Sequence, residues 1–447
     1  MASNTLEGHL QRLRSLPTIR QRCTLVHELA QQGRLEYFEY HPEAEASVVD
    51  FCAEIMKRDY SNFAEIPPHG RWRHFDTGKE RINPLLASWS SRTPPIPKEE
   101  QCARLLDLFL VSVLLDAGAG NAWKYKEQGD DGAYYSRSEG LAIASLDMFR
   151  NGLFSSNLND KERVDAGGLG SLTVSEVATA MQVTPDNPMS GLDGRAGLLQ
   201  KLGQALKSGP TYFGEEGRVG NLLHYLKGHV EEDSRRATAT VHISKLWEAV
   251  MLGLAPIWPT DRTKLNGIPL GDVWRCEALK GKEVKKEGDT KSGWEAELLG
   301  LVPFHKLSQW LTYSLVEPIE KLMGWKFEGM EDMTGLPEYR NGGLLVDLGV
   351  LTLRPTVLSP DFYPDPSSKI PRIPASHPAI IEWRAMTVIE LDRIADQLRT
   401  KTGTNLTLPQ VLEAATWKGG REIARQLRGD INGGGPPIEI ESDGTVF

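Results

Sequence analysis

The chain has 447 residues, 40% of them hydrophobic and 25% charged, and its 51 Lys and Arg against 60 Asp and Glu give a formal net charge of −9. This composition is that of a globular protein and excludes a wholly disordered chain. The acidic balance argues against a nucleic acid as partner, because proteins that bind nucleic acids usually present a basic face to the phosphates.

The cysteines and the apolar runs indicate the compartment. Cys23, Cys52, Cys102 and Cys276 are far apart, so the sequence predicts neither a disulfide framework nor a Cys-x-x-Cys metal site. The polar N-terminus lacks the apolar run of a secretory signal. The longest apolar stretch, residues 105–115, is shorter than the roughly 20 residues that span a bilayer. We therefore expect a cytoplasmic protein with no membrane partner, and the sequence leaves the oligomeric state open.

Helical periodicity dominates the chain. Apolar residues recur at three- and four-residue steps, which predicts a mainly α, multi-helix globular fold. The predicted helices include residues 6–29, 48–60, 102–115, 141–154, 196–206 and 241–254. We expect an N-terminal helical subdomain at 1–97, a main helical catalytic domain at 98–429, and a disordered tail at 430–447 that is rich in Gly, Pro and acidic residues.

The first candidate binding segment is residues 67–75, which contain Arg71 and Arg73 together with two histidines and a tryptophan. Arginine is suited to bidentate contacts with phosphate, so we predict that Arg71 or Arg73 binds a phosphate group. An exposed loop is the alternative interpretation of the same segment.

A Gly-rich stretch follows the predicted helix at 102–115. Asp116 stands at its start, and small residues lie beside Trp123 and, further along, near Tyr135. Small residues next to aromatic rings allow a planar group to stack, so Asp116, Trp123 and Tyr135 are candidate substrate-binding residues. The glycines match neither the G-x-G-x-x-G pattern nor the P-loop pattern.

A polar stripe runs along the segment 302–313. Pro303 suits the first turn of a helix, and Lys306, Gln309 and Tyr313 then fall on one narrow stripe beside an apolar face. A lysine bordered by so much apolar surface must either reach water or meet an acid, and reaching water is the simpler interpretation.

The segment 335–351 also predicts a helix start. Pro337 and Glu338 suit a first turn, so helix capping is the simple explanation for Glu338. The pair Gly342-Gly343 costs roughly 2 kcal/mol relative to alanine in a helix. That cost predicts close approach of another helix or of a ligand.

The segment 380–399 predicts a strongly amphipathic helix. Glu382 falls on its apolar stripe and is therefore expected to be buried. A buried acid needs a partner, and Lys306 and Arg340 are the candidates, with a purely structural ion pair as the alternative.

Several familiar catalytic motifs are missing. There is no His-Glu-x-x-His and no Gly-x-Ser-x-Gly, so neither a zinc hydrolase nor a serine hydrolase is supported. We expect no metal site and no cofactor.

Several runs of the sequence resemble the uracil catabolism protein 4 family of fungi and bacteria. They are IPPHGRWRHFD, LLDAGAGNAWKYKE, RSEGLAIASLDMF, VPFHKLSQWLTYSL, LPEYRNGGLLVDLGVL and HPAIIEWRAMTVIELDRIA. The resemblance covers nearly the whole chain. It implies a role in the pathway that opens the pyrimidine ring, with a ribosyl-urea species proposed as an intermediate.

The order of segments also resembles, more distantly, the queuosine salvage proteins. That family is mainly helical, is related in fold to DNA glycosylases, and hydrolyses the N-glycosidic bond of a ribonucleotide 5′-phosphate. The matching segments here are Phe304–Gln309, Pro337–Arg340 and Glu382–Ala385, with a looser match at Asn121–Trp123. Glu338 stands where that family has its catalytic aspartate, so the resemblance implies a catalytic role for Glu338.

Together these observations predict a hydrolase that cleaves the N-glycosidic bond of a ribosyl-urea, with a small phosphorylated ribosyl molecule as substrate. The predicted catalytic residues are Glu338, Lys306 and Glu382. The predicted substrate-binding residues are Asp116, Trp123, Tyr135, Gln309, Tyr339, Arg340 and Arg384. The general acid that protonates the leaving nitrogen is left open between Asp116 and Glu382. The alternatives are an amidohydrolase that acts on the ureido group and a helical protein that binds a pathway intermediate without turnover.

Overall fold

Helices make up most of the structure, as the period of the apolar residues predicts. The computed structural model describes residues 5–116, 118–120, 122–129, 132–233, 238–260, 262–281, 293–364 and 368–441. The first helices are α1 Leu6–Arg14, α2 Leu16–Gln31, α3 Glu45–Asp59, α4 Arg71–Phe75, α5 Ile82–Ser90, α6 Lys98–Leu115 and α7 Arg137–Arg150. The middle of the chain forms α8 Ala166–Ser171, α9 Val174–Ala180, α10 Leu192–Ser208, α11 Pro210–Phe213, α12 Leu222–Lys227, α13 Ile243–Glu248 and α14 Trp294–Glu297. The last are α15 Lys306–Met323, α16 Tyr339–Asp347, α17 Pro378–Thr402, α18 Leu408–Val411 and α19 Trp417–Asn432. The prediction of a mainly α fold is confirmed.

The strands are short and pair locally or across long sequence distances. They are β1 Phe38–Tyr40, β2 Tyr125–Lys126, β3 Tyr134–Tyr135, β4 Glu231–Asp233, β5 Thr238–His242, β6 Lys264–Leu265, β7 Ile268–Pro269, β8 Val273–Arg275, β9 Leu301–Pro303, β10 Trp325–Glu328, β11 Leu351–Leu353, β12 Arg372–Pro374 and β13 Glu439–Glu441. The strand order β10-β5-β4 forms a three-stranded sheet in which β10 and β5 are parallel and β5 and β4 are antiparallel. The pairs β1-β11, β2-β3, β6-β7 and β8-β9 are antiparallel, and β12-β13 is parallel.

Three long helices form the centre of the molecule. Every residue of α6 from Gln101 to Leu115 is buried, α15 is buried from Lys306 to Ile319, and α17 is buried from Ala379 to Leu391. Helices that are enclosed on all sides form the interior of a globular protein and carry few exposed polar groups. Polar side chains on these helices are therefore forced to find partners inside the protein. No helix among the described residues is long and apolar enough to cross a membrane.

The N-terminal helices share this core. Ile19 on α2 and Val48 on α3 lie in the same hydrophobic cluster as residues of α17, and Arg20 forms an ion pair of 2.7 Å with Asp392 on α17. Helices α2 and α3, within the predicted subdomain at 1–97, therefore share a hydrophobic cluster with α17.

The C-terminal segment is more ordered than predicted. α19 continues to Asn432, and β13 pairs in parallel with β12. Ile438, between α19 and β13, is only 2% exposed. Pro437 packs against Gly343, where an added Cβ would lie 3.0 Å from the proline Cδ. Burial of these apolar residues explains the order, so the expectation of a disordered tail is wrong for residues 433–441, and residues 442–447 lie outside the described residues.

Candidate active site

Lys306 opens α15, and Asp272 defines where that helix begins. The backbone N–H of Phe304 donates to the Asp272 carbonyl at 2.9 Å, and the Lys306 N–H donates to the Asp272 carboxylate at 2.9 Å. Between them, His305 takes a left-handed conformation with φ of +47°, which turns the chain from β9 into the helix. The helix therefore starts three residues after Pro303, which ends β9 instead of occupying the predicted first turn.

The Lys306 side chain is buried and forms no ion pair with a described residue. The residue is 6% exposed, and its ammonium has no hydrogen-bond partner or carboxylate within 4.0 Å among the described residues. Its Nζ lies 5.5 Å from the centre of the Trp310 ring. Burial lowers the pKa of Lys306, and the negative charges of Glu338 and Asp116 oppose that shift. A buried cation near two carboxylates, with no partner of its own, is typical of a ligand-binding site.

Glu338 caps the helix α16. Its two carboxylate oxygens accept hydrogen bonds from the backbone N–H groups of Arg340 at 2.7 Å and Asn341 at 2.6 Å. These two bonds confirm the capping interpretation. Glu338 is also buried, with 8% of the residue exposed. Each oxygen keeps a second lone pair, and the two N–H donors hold the negative charge in one orientation.

Asp116 and Arg71 form a buried ion pair beside this carboxylate. Arg71 is fully buried and donates from Nη1 to Asp116 at 2.8 Å and from Nε to Ser112 at 2.7 Å. One nitrogen, Nη2, remains, so Arg71 does not offer the free bidentate face expected of a phosphate ligand. Arg73 is directed elsewhere and donates to Glu317 at 2.5 Å, so the predicted pair of phosphate-binding arginines is divided between two environments.

Three buried polar atoms next to Arg71 and Lys306 lack partners among the described residues. They are Arg71 Nη2, His74 Nδ1 and Trp310 Nε1. The Trp310 ring lies 5.6 Å from the Arg71 guanidinium carbon and 5.9 Å from the His74 ring. Burial and the charge of Arg71 lower the pKa of His74 to about 3, so its imidazole is neutral. Because buried polar groups are normally paired, these three atoms mark a region that a polar ligand would complete.

Tyr339 and Arg340 border the same region. The Tyr339 hydroxyl has no hydrogen-bond partner among the residues that the structure describes. Burial raises its pKa, and among neighbouring charges Glu338 and Asp116 raise it further while Arg340 lowers it. The structure thus brings together the predicted residues Lys306, Glu338, Asp116, Tyr339, Arg340 and Arg71.

Glu382 lies away from this group. Its carboxylate accepts hydrogen bonds of 2.9 Å from the backbone N–H groups of both Glu36 and Tyr37, in the loop before β1. Burial raises the pKa of Glu382 to about 7, against the opposing effect of those hydrogen bonds. The prediction of a buried acid is correct, but its partners are backbone amides instead of Lys306 or Arg340. Glu382 therefore braces a loop and does not face the candidate site.

Arg384 has a positioning role. Its guanidinium forms two hydrogen bonds with the Asp272 carboxylate, at 2.7 and 2.8 Å, and a third with the Pro337 carbonyl at 3.2 Å. It holds Pro337, which precedes Glu338, and Asp272, which starts α15 at Lys306. Arg384 therefore positions the segments that carry Glu338 and Lys306 and is not placed as a substrate contact.

Gln309 also supports the site from behind. Its side-chain amide donates to the Phe304 carbonyl at 3.0 Å and to the Thr334 hydroxyl at 2.8 Å, and its oxygen accepts from the Thr334 N–H at 2.9 Å. Tyr313, on the same predicted polar stripe, donates to the Thr334 carbonyl at 3.0 Å. The stripe therefore anchors the loop that leads to Glu338, and Gln309 has no spare group for a substrate.

Trp123 and Tyr135 are packed outside the group. Trp123 is fully buried and donates from its indole nitrogen to the Met181 carbonyl at 2.9 Å. The Tyr135 hydroxyl accepts from Arg81 at 2.9 Å. The Trp123 ring is enclosed, the Arg81 guanidinium carbon lies 5.1 Å from the centre of the Tyr135 ring, and Asn121 lies outside the described residues.

The roles of Asp272, His74 and Trp310 are not evident from the sequence. Asp272 stands in a Gly-rich segment without periodicity, and the helical period places Trp310 beside Leu307 and Leu311, as expected for an apolar face. His74 lies in the basic segment that was singled out for its arginines, which was the available signal. No group of three or more His, Cys, Asp or Glu side chains within the described ranges is placed to hold a metal ion.

Comparison with known proteins gives the family. The chain is 42% identical over 455 residues to "Uracil catabolism protein 4" of Lachancea kluyveri, covering 99% of this chain and 100% of that protein. It is 40% identical over 443 residues to "Protein urg3" of Schizosaccharomyces pombe (strain 972 / ATCC 24843), covering 98% of each. The family model described as "Protein of unknown function (DUF1688)" matches residues 12–447. The resemblance seen in the sequence is thereby confirmed, and the chain belongs to the uracil catabolism protein 4 family, the DUF1688 proteins.

Proposed function

We propose that this protein acts in uracil catabolism by hydrolysing the N-glycosidic bond of a ribosyl-urea, most directly ribosyl-urea 5-phosphate. The name of the Lachancea kluyveri relative, "Uracil catabolism protein 4", supports the pathway. The observation that carries the proposed reaction is the buried Lys306 ammonium without a partner, beside the carboxylates of Glu338 and Asp116.

Glu338 takes the role of the stabilising carboxylate. Cleavage of a glycosidic bond passes through a ribosyl centre with oxocarbenium character, which a fixed negative charge stabilises. Two backbone N–H groups orient the Glu338 carboxylate at the start of α16. Because this orientation exists before substrate binds, no reorganisation is needed as positive charge develops on the sugar.

Lys306 takes the role of the proton donor to the leaving nitrogen. An ammonium with a lowered pKa gives up its proton more readily than an exposed lysine. This assignment replaces Glu382 as a candidate acid, because Glu382 contacts the loop before β1. Asp116 is not assigned this role either, because one of its carboxylate oxygens already accepts a hydrogen bond from Arg71.

Asp116 instead takes the role of the base. One of its oxygens accepts from Arg71, and the other has no hydrogen-bond partner among the described residues. In the proposed reaction the bond from the anomeric carbon to nitrogen breaks, its electron pair stays on nitrogen, and Lys306 supplies a proton there. Water forms the new bond to the anomeric carbon and passes a proton to Asp116. The products are urea and ribose 5-phosphate.

The leaving group has its own set of partners in this arrangement. The ureido carbonyl needs donors, and Arg71 Nη2 and Trp310 Nε1 are buried donors without an acceptor. The neutral His74 offers either a donor or an acceptor, depending on its tautomer. This complementarity favours a planar polar leaving group over an apolar one.

The direct test is to incubate the purified protein with ribosyl-urea 5-phosphate and to measure urea and ribose 5-phosphate. Equal release of both products supports the proposal. Release of ammonia and carbon dioxide, with the sugar still attached to nitrogen, would instead identify an amidohydrolase. Binding of the substrate with no product would identify a non-enzymatic binding protein.

A further inference from the structure

Three arginines meet beside Tyr339, at the edge of the candidate site. Arg137 is the first residue of α7, Arg340 lies in the first turn of α16, and Arg421 lies on α19. The positive charges of Arg340 and Arg421 both act on Arg137 and, together with burial as the larger cause, lower its pKa. Glu139, which pairs with Arg421, is the carboxylate among these neighbours. The cluster therefore carries excess positive charge.

Arg340 is buried without an acidic partner. It is 6% exposed, and its one side-chain hydrogen bond to a described residue runs from Nη1 to the Gly434 carbonyl at 2.7 Å. Of the six other arginines that are no more exposed, five form ion pairs, namely Arg71, Arg81, Arg104, Arg218 and Arg384. The sixth, Arg195, donates to the backbone carbonyls of Leu115 and Ser190. Burying a charge without a counter-charge is costly, so the unpaired Arg340 indicates a missing anion.

Arg137 is held in place by the same segment of chain. Its Nη2 donates to the Gly433 carbonyl at 3.0 Å, and no carboxylate among the described residues lies within 4.0 Å of its guanidinium. Its backbone takes a left-handed conformation, with φ of +55°, a conformation that is unfavourable for a residue with a side chain.

The two guanidinium groups converge. Gly433 and Gly434 are consecutive, both with positive φ, and their Cα atoms are about 3.8 Å apart along the chain. Arg137 binds the Gly433 carbonyl and Arg340 binds the Gly434 carbonyl, so both side chains reach the same turn, and the charge of Arg340 acts on Arg137. Arginine provides the planar, bidentate geometry that phosphate oxygens accept.

We propose that Arg137 and Arg340 form a binding site for a phosphate monoester, closed on one side by the Gly433-Gly434 turn. Tyr339 stands between Glu338 and Arg340 in the chain, and the Arg340 guanidinium carbon lies 5.0 Å from the centre of its ring. A bound sugar phosphate would place its phosphate at the arginines and its ribose toward the Glu338 carboxylate. The identification of this site with the phosphate end of a ribosyl substrate rests on the proposed function. It replaces the phosphate site that the sequence suggested at Arg71 and Arg73.

Binding to the full-length protein tests the site without turnover. Isothermal titration calorimetry at low salt would compare ribose 5-phosphate, inorganic phosphate and ribose. We expect the protein to bind ribose 5-phosphate, to lose that affinity as ionic strength rises, and to bind ribose at least 10-fold more weakly. Arg137→Met and Arg340→Met should each weaken ribose 5-phosphate by about 10- to 100-fold, as expected for loss of a charged hydrogen bond.

Arg73→Met is the matched control, because Arg73 is paired with Glu317, and its affinity should equal that of the unmodified protein. Equal affinity for ribose and ribose 5-phosphate, or an unchanged affinity in Arg137→Met, would overturn the assignment. Arg137 is only partly buried, so Arg137→Met decides the question even if Arg340→Met fails to fold. Phosphate-dependent binding without release of urea would contradict the proposed hydrolysis and still support the phosphate site. Release of urea with unchanged binding in both variants would support the hydrolysis and contradict the phosphate site.

Discussion

Replacing Glu338 by glutamine separates its structural role from its proposed catalytic role. The glutamine side-chain oxygen can still accept a hydrogen bond from one of the two backbone N–H groups. Its NH2 group replaces the second carboxylate oxygen and cannot accept a hydrogen bond from the other N–H group. One N–H in the first turn of α16 is then left unpaired, which costs about 1–2 kcal/mol of stability. A protein with about 5–15 kcal/mol of stability remains folded after that loss.

The expected loss of activity is larger. Removing a group that stabilises charge in a transition state typically lowers kcat by about 100- to 1,000-fold, or about 3–4 kcal/mol. The lost capping interaction cannot account for a change of that size while the protein stays folded. The rate of urea release from ribosyl-urea 5-phosphate at saturating substrate is the quantity to measure, beside guanidinium unfolding of the same sample.

Asp165→Asn is the matched control for the lost cap. Asp165 caps α8 by accepting the Gly168 N–H at 2.9 Å, is 3% exposed, and lies outside the candidate site. It should lose a similar free energy of unfolding and keep its activity. If Glu338→Gln keeps activity within tenfold of the original protein, or if both variants lose activity equally, the catalytic assignment of Glu338 is wrong.

Three further predictions concern the buried charges around the site. Lys306→Met should abolish urea release while raising the free energy of unfolding by about 1 kcal/mol, because the ammonium is buried without a partner. Turnover assays and guanidinium unfolding of the same variant measure these two effects, and a marked loss of stability would contradict the prediction. Arg384→Met should cost about 3–5 kcal/mol in guanidinium unfolding, since it leaves the Asp272 carboxylate buried without its counter-charge, and a cost below about 1 kcal/mol would refute that reasoning. The pKa of Glu382 rises from 4.5 to about 7 on folding, so its contribution to stability is fully present below 4.5 and is lost as the pH rises through 7, by about 3 kcal/mol. Guanidinium unfolding at pH 5 and pH 8 should show this fall in the original protein, and a fall of equal size in Glu382→Gln would exclude Glu382 as its source.

The helical pattern identified the burial of the key acids but not their neighbours. Glu382 and Arg384 stand two residues apart on α17, which places them roughly 200° apart around the helix axis. One therefore contacts the loop before β1 while the other reaches Asp272. Periodicity specifies which face of a helix is covered, but the covering element is selected by packing between segments that are distant in sequence.

The same limit explains the two glycines of α16. An added Cβ on Gly342 would lie 2.8 Å from the Trp383 indole, so the cost in helix propensity is offset by close packing against α17. Between the two interpretations that the sequence left open, a second helix is the observed neighbour.

The amino-acid order by itself determined the helical class and the capping position of Glu338, because these depend on residues within a few turns of one another. Only the tertiary structure decided that Lys306 has no ion-pair partner, that Arg71 binds Asp116, and that Arg340 meets the Gly433-Gly434 turn. Those outcomes depend on contacts between groups tens of residues apart, whose geometry is set by how the helices pack and not by any local pattern.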